Sequence, residues 1–145
     1  MGNLSKDINS TFANNKIKAL LNIIYTANWI TGYQNEFFKA HGISPQQYNI
    51  LRILRGANTA LNVQTIKDRM LERSPNATRL MDKLCAKHFI ERKPSKNDRR
   101  VVKIAITDKG IALLNAIPDD FNAALLQNIT ETEAEQLSNL LDKMR

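Results

Sequence analysis

The stretch PSKNDRRVVKIAIT, residues 94–107, concentrates the residue types best suited to meeting a polyanion. Lys96, Arg99 and Arg100 stand in a turn-forming cluster, with Lys93 just before it. An arginine at the tip of a thin hairpin can enter the narrow minor groove of a duplex, where the potential is most negative. Asp98 is out of place in a phosphate-seeking loop unless its role is internal. A carboxylate can hold a guanidinium in a fixed fork, and both Arg92 and Arg100 are within sequence reach of it.

A second group lies just upstream, in SPNATRLMDKL (74–84). A helix entering a major groove needs a defined start, short polar side chains on its first turns, and an amide or basic group that reaches base edges. Ser74 as cap and Pro75 at the first helical position supply the start. Asn76, Arg79 and Lys83 fall on one stripe, opposite Leu80, Met81 and Leu84. Ala77 and Thr78 are placed to meet a thymine methyl or a phosphate. Taken alone this is an ordinary amphipathic surface helix, and only the basic hairpin beside it favours the nucleic-acid reading.

Charge supports the same region. The net charge is +7 in 145 residues. Between Lys67 and Lys103 lie twelve basic and five acidic residues, while the rest of the chain carries nine of each. The whole excess therefore sits in one quarter of the protein. Most charge runs are merely solvated, but localisation this tight favours a polyanion-binding face.

The elements that must position these groups follow from periodicity. Ile17, Leu20, Leu21, Ile24, Ala27, Ile30, Tyr33 and Phe37 keep the i, i+3, i+4 spacing of one long helix that ends before His41-Gly42. Ser44, Pro45 and Gln47 spell a capping box for a second helix, with Tyr48, Leu51 and Leu54 inward and Gly56 as its stop. Asn62 caps a short third helix carrying Val63, Ile66 and Met70, and the fourth runs from Ser74-Pro75 to about His88. The period then changes to two: residues 89–93 and 101–107 read as strands, with Val102, Ile104 and Ile106 on one face. Thr107 caps a fifth helix with Ile111, Leu114 and Ile117, broken at Pro118. Thr130 and Glu133 open a last helix with Ala134, Leu137, Leu140, Leu141 and Met144 along one stripe. The expected fold is mainly α with a small β-hairpin: a helix-turn-helix with a wing at about 44–106, flanked by long helices at about 1–42 and 107–145. An isolated hairpin is marginal, so the wing should lean on the helices through Val102, Ile104 and Ile106.

Other function classes are disfavoured. No glycine-rich phosphate loop, nucleophile elbow or histidine-rich ligand pattern occurs, so neither an enzyme nor a cofactor is expected. His41 and His88 are too few and too far from Cys85 for a metal site. No apolar run reaches the roughly 18 residues that span a bilayer, and the polar start does not read as a secretory signal. A single cysteine fits a reducing, cytoplasmic compartment, and Cys85 reads as an ordinary, partly buried thiol rather than a redox sensor. Trp29, Tyr33 and Phe37 could line a ligand cavity, although aromatics at helical spacing are more often core or interface.

The wing and helix together carry a family likeness. NDRRVVKIAITDKG (97–110) resembles the wing signature of MarR-type winged-helix regulators, an Asp-x-Arg step followed by a strand and Thr-Asp-x-Gly. SPNATRLMDKLCAKHFIERKPS (74–95) is similar to that family's recognition helix running into its first wing strand. The likeness extends over nearly the whole chain. It implies a homodimer built from the terminal helices, binding a pseudo-palindromic double-stranded DNA operator, and repression relieved by a small-molecule effector or an oxidant. It also implies that Asp98 and Arg100 are the paired wing residues, with Arg100 in the minor groove; Arg99 then reads as a phosphate contact or a solvated neighbour. His88 departs from the family pattern, which has a glycine at the end of the recognition helix. The runner-up is a winged-helix interaction module whose basic face docks an acidic protein.

Overall fold

The computed structural model describes residues 1–145, which divide into two compact units: 1–30 with 118–145, and 31–117. The basic quarter of the chain lies in the second.

That unit begins with the end of α2 (Asn15–Lys39), which stops where Gly42 takes φ +72° and Ile43 N donates to the Phe38 carbonyl. Helix α3 (Pro45–Ala57) follows, with the expected capping box complete: Gln47 N donates to Ser44 Oγ at 3.1 Å, and Ser44 N to Gln47 Oε1 at 2.9 Å. Gly56 is not its stop. The helix continues to Ala57 and ends on Asn58 at φ 51°, a conformation that asparagine tolerates better than most residues.

Strand β1 (Leu61–Asn62) precedes α4 (Val63–Arg69), where Asn62 caps as expected by accepting from Thr65 N at 2.7 Å. Helix α5 (Ala77–Ala86), strands β2 (Ile90–Pro94) and β3 (Val102–Ile106), and α6 (Asp108–Ala116) complete the unit. The two-stranded hairpin of the sequence reading is in fact the outer part of a three-stranded antiparallel sheet of order β1-β3-β2. Ile104 sits opposite Leu61 on one side and Arg92 on the other. The two residues of β1 are too short to leave a periodic signal, yet they pair the inner edge of the wing.

Phe38, Ile50, Leu51, Leu54, Ile66, Met81, Leu84, Ile90 and Ile104 are all but fully buried. Each such side chain contributes roughly 1.5–3 kcal/mol by leaving water. Of the three expected wing anchors, Ile104 is buried, Ile106 is half-buried and Val102 is 43% exposed. Val102 pairs with Pro94 at the loop end of the hairpin, away from the helices, so it cannot serve as an anchor.

The junction between α6 and the wing depends on Gly110. A Cβ there would run into the Phe89 carbonyl oxygen and come within 2.8 Å of Ile106 Cγ1. Thr107 caps α6, accepting from Gly110 N at 3.1 Å, while its hydroxyl donates to the His88 carbonyl at 2.6 Å.

The first unit holds a short α1 (Leu4–Asp7), the first part of α2, a one-turn α7 (Ala123–Leu126) and α8 (Glu131–Lys143). Helix α1 is too short to carry an apolar period in the sequence; Asn3 caps it by accepting from Lys6 N. The Thr130–Glu133 capping box of α8 is present in both directions. Much of the apolar stripe on these helices remains exposed: Leu20, Ile24 and Trp29 on α2, Leu137 and Leu140 on α8. No helix is long and apolar enough to cross a membrane.

Candidate nucleic-acid interface

Helix α5 starts later than the sequence suggests. Residues 75 and 76 form a turn, and Ser74 Oγ accepts from Asn76 N at 3.1 Å, closing that turn rather than capping the helix. Asn76 is the N-cap residue but makes no side-chain cap bond. Helix α3 holds the approach to this turn. Asn49 Oδ1 accepts from Leu71 N at 2.9 Å, and Gln46 Nε2 donates to Glu72 at 2.8 Å. Gln47 is buried and sends its amide to the Leu80 carbonyl at 3.3 Å, so the capping box of α3 also grips α5.

On α5 itself, Met81 and Leu84 face the core, together with Ala77, which is fully buried. The assignment of Ala77 to a DNA contact is therefore wrong: the helix begins at this residue and turns its methyl inward. Thr78, Arg79 and Lys83 are exposed, as is Asn76. Arg79 and Lys83 are one turn apart on the outward side. Lys83 also lines an open cleft of about 680 Å³ with Lys39, Gly42, Gln47 and Lys87. A smaller cleft of about 300 Å³ lies at the approach to α5, lined by Lys67, Arg73, Ser74 and Pro75 among others. In the sequence Lys67 and Arg73 stand out only as charge, because neither lies on the stripe of α5 or in the wing.

The far end of α5 explains the unusual His88. It takes φ 62°, the left-handed conformation usually given to glycine. His88 N donates to the Cys85 carbonyl at 2.9 Å, and Phe89 N to the Leu84 carbonyl at 3.0 Å. That pair of bonds is a Schellman ending with His88 at the strained position. Its neighbours hold it there: Lys109 Nζ donates to the Lys87 carbonyl at 3.0 Å, and Thr107 donates to the His88 carbonyl.

The wing loop spans residues 95–101 between β2 and β3. Ser95 N donates to the Val101 carbonyl at 2.8 Å and closes the loop at its base. Lys96, Arg99 and Arg100 are exposed. Asp98 does not hold a guanidinium. Its Oδ1 accepts from the backbone N of Arg100 at 2.9 Å, and its carbonyl accepts from Val101 N at 3.0 Å. Asp98 is thus a turn former that fixes the backbone carrying Arg100, as aspartate often does two residues ahead of an amide. The alternatives of Arg92 or Arg100 as its side-chain partner both fall away.

Arg92 has a different partner. Its Nη2 donates to Asp82 Oδ1 on α5, and this bond holds the guanidinium pKa above its ordinary value. Alternation along β2 accounts for the meeting. Ile90 and Arg92 share the face turned to α5, while Glu91 and Lys93 share the other and pair at 2.9 Å.

The three aromatics considered for a ligand cavity fall in different units, Trp29 in the first and Tyr33 and Phe37 in the second. Trp29 is 53% exposed. Tyr33 and Phe37 are half-buried, and the Phe37 ring packs edge-on against Phe38 with centroids 5.1 Å apart. None of the three lines the 680 Å³ cleft.

This geometry has close counterparts among known proteins. The MarR family model matches residues 43–102, from the capping box to the second wing strand. The transcriptional regulator MhqR of Bacillus subtilis is 33% identical over 118 residues, covering 79% of this chain and 81% of its own length. The multiple antibiotic resistance protein MarR of Escherichia coli is 29% identical over 114 residues, 76% of this chain and 78% of that protein. Among solved structures, a mutant MarR from E. coli complexed with operator DNA aligns with TM-score 0.76 at 27% identity, covering 92% of this chain and 99% of that one. The S. aureus MepR–DNA complex aligns with TM-score 0.73 at 26% identity, over 88% and 94%. On fold, wing signature and relatives alike, the chain belongs to the MarR family of winged-helix transcriptional regulators.

Proposed function

We propose that this regulator is a homodimeric, sequence-specific repressor that sets α5 in the major groove of its operator and the wing loop in the minor groove. The observation that carries this reading is the juxtaposition in one winged unit of an exposed Arg79–Lys83 stripe and a projecting Lys96-Arg99-Arg100 loop, where all the excess charge resides. In this reading Asn76, Thr78 and Arg79 read base edges. Ser74, Lys83, Lys96 and Arg99 meet phosphate, and Arg100 enters the minor groove on a backbone fixed by Asp98. Solved relatives include a MarR bound to operator DNA and a MepR–DNA complex. The exposed apolar side chains of α2 and α8 support a second copy as partner, because a monomer rarely leaves such stripes in water.

Titrating the purified protein against duplex from the region upstream of its own gene tests this. Two chains per duplex are expected, with one site far tighter than bulk DNA; absence of duplex binding at low salt would refute the reading. Arg79→Ala should relax specificity at one base pair and weaken the specific site by about 1–3 kcal/mol if it reads a guanine. Equal losses on specific and random duplex would instead make Arg79 a phosphate contact. Repeating the titration with small phenolics or oxidants tests for an effector, whose signature is loss of operator affinity.

A further inference from the structure

Asp82 is an acid on the exposed side of the helix proposed to enter the groove, which by simple electrostatics should repel the duplex. The structure gives it a partner. The Arg92 guanidinium, arriving from β2 on the face turned to α5, donates Nη2 to Asp82 Oδ1. Both side chains remain substantially exposed, 42% and 54%, so the pair adds little to stability. What it does fix is direction. One edge of the guanidinium is held by the carboxylate, and its remaining N–H groups are left for another acceptor.

The position is informative. The pair ties the recognition helix to the first wing strand, and a backbone strand passing from major to minor groove must cross between those two elements. We propose that Arg92 is a phosphate-contacting residue at this crossing, and that Asp82 is the positioning residue that aims it. The inference rests on the DNA-binding reading above. An Asp82 that merely tolerates the duplex predicts the opposite sign for its removal, which makes the two readings separable.

The test is a double-mutant cycle on the same upstream duplex at one fixed salt concentration. Arg92→Ala should weaken binding about tenfold and make the salt dependence shallower by about one unit of slope. Asp82→Ala should also weaken binding, by about three- to tenfold, although it removes a negative charge from the DNA-facing side. The double variant should bind about as well as Arg92→Ala alone, because the two residues act as one unit. Asp82→Glu should restore most of the loss, since it keeps the carboxylate. If Asp82→Ala melts early, Asp82→Asn, nearly isosteric, replaces it in the cycle. Tighter binding by the Asp82 variant, or losses that add in the double variant, would overturn the proposal while the regulator still binds. Failure of the wild-type protein to bind would overturn the DNA-binding reading and this inference together.

Discussion

At the residue scale, His88 is the clearest case of a local rule broken. An L-residue at φ 62° is strained by its Cβ, and glycine relieves that strain at some cost in unfolded-state entropy. His88→Gly should therefore stabilise the protein by about 0.5–1 kcal/mol in urea unfolding. A destabilised variant would mean the imidazole makes a contribution beyond the helix ending. The departure was visible in the sequence, because the residues around it resemble a motif that closes with glycine. What held it in place was not visible, since Thr107 reaches the His88 carbonyl from 19 residues away and Lys109 the preceding Lys87 carbonyl from 22. Asp98 teaches the converse. A carboxylate among arginines suggests an ion pair, but the nearest donor in a tight loop is the backbone two residues on, and the local bond won. Arg92 was then free for Asp82, a pairing that alternation along β2 and the helical stripe of α5 jointly imply.

At the element scale, starts with a side-chain oxygen followed three residues later by Glu or Gln were legible. Both capping boxes form as read, at Ser44–Gln47 and Thr130–Glu133. The Ser-Pro at 74–75 looked the same but lacked the answering side chain, and there the chain makes a turn and starts its helix at Ala77. That two-residue shift is why Ala77 faces inward and not toward DNA. Strand β1 escaped because two residues carry no period. The α8 box also has a pH signature. Bonds from the Thr130 backbone and hydroxyl hold the Glu133 carboxyl below its ordinary value of 4.5. Its folded pKa is depressed, so its contribution is fully present above 4.5 and is lost as pH falls through the lower folded value. Acidification should accordingly fray the N-terminus of α8 only below that ordinary range. Carboxyl titration followed by NMR should show Glu133 titrating below its ordinary value of 4.5, and a normal Glu133 would remove the box as a stabilising device in solution.

At the scale of the whole molecule, the net charge and the apolar helical stripes belong to different stretches of the chain. All net positive charge lies between Lys67 and Lys103, whereas the uncovered apolar stripes belong to α2 and α8. The first suits a polyanion, and the second is the surface on which the dimer proposed above rests. The winged helix-turn-helix order was legible because side-chain caps mark the helix starts, a change of period marks the wing and the charge marks one region. The expectation of a homodimer comes only from the family likeness, since apolar helical stripes read the same whether they cover a core or await a partner. The central claim is that the basic winged unit binds duplex DNA with its wing arginine engaged. Its most direct test is duplex affinity measured across a salt series for wild type and Arg100→Ala. The account predicts a steep decline in log affinity with log salt, and a variant that is folded, weaker at every salt and shallower by about one unit of slope. Identical affinity and slope for the two proteins, or no binding even at low salt, would contradict it.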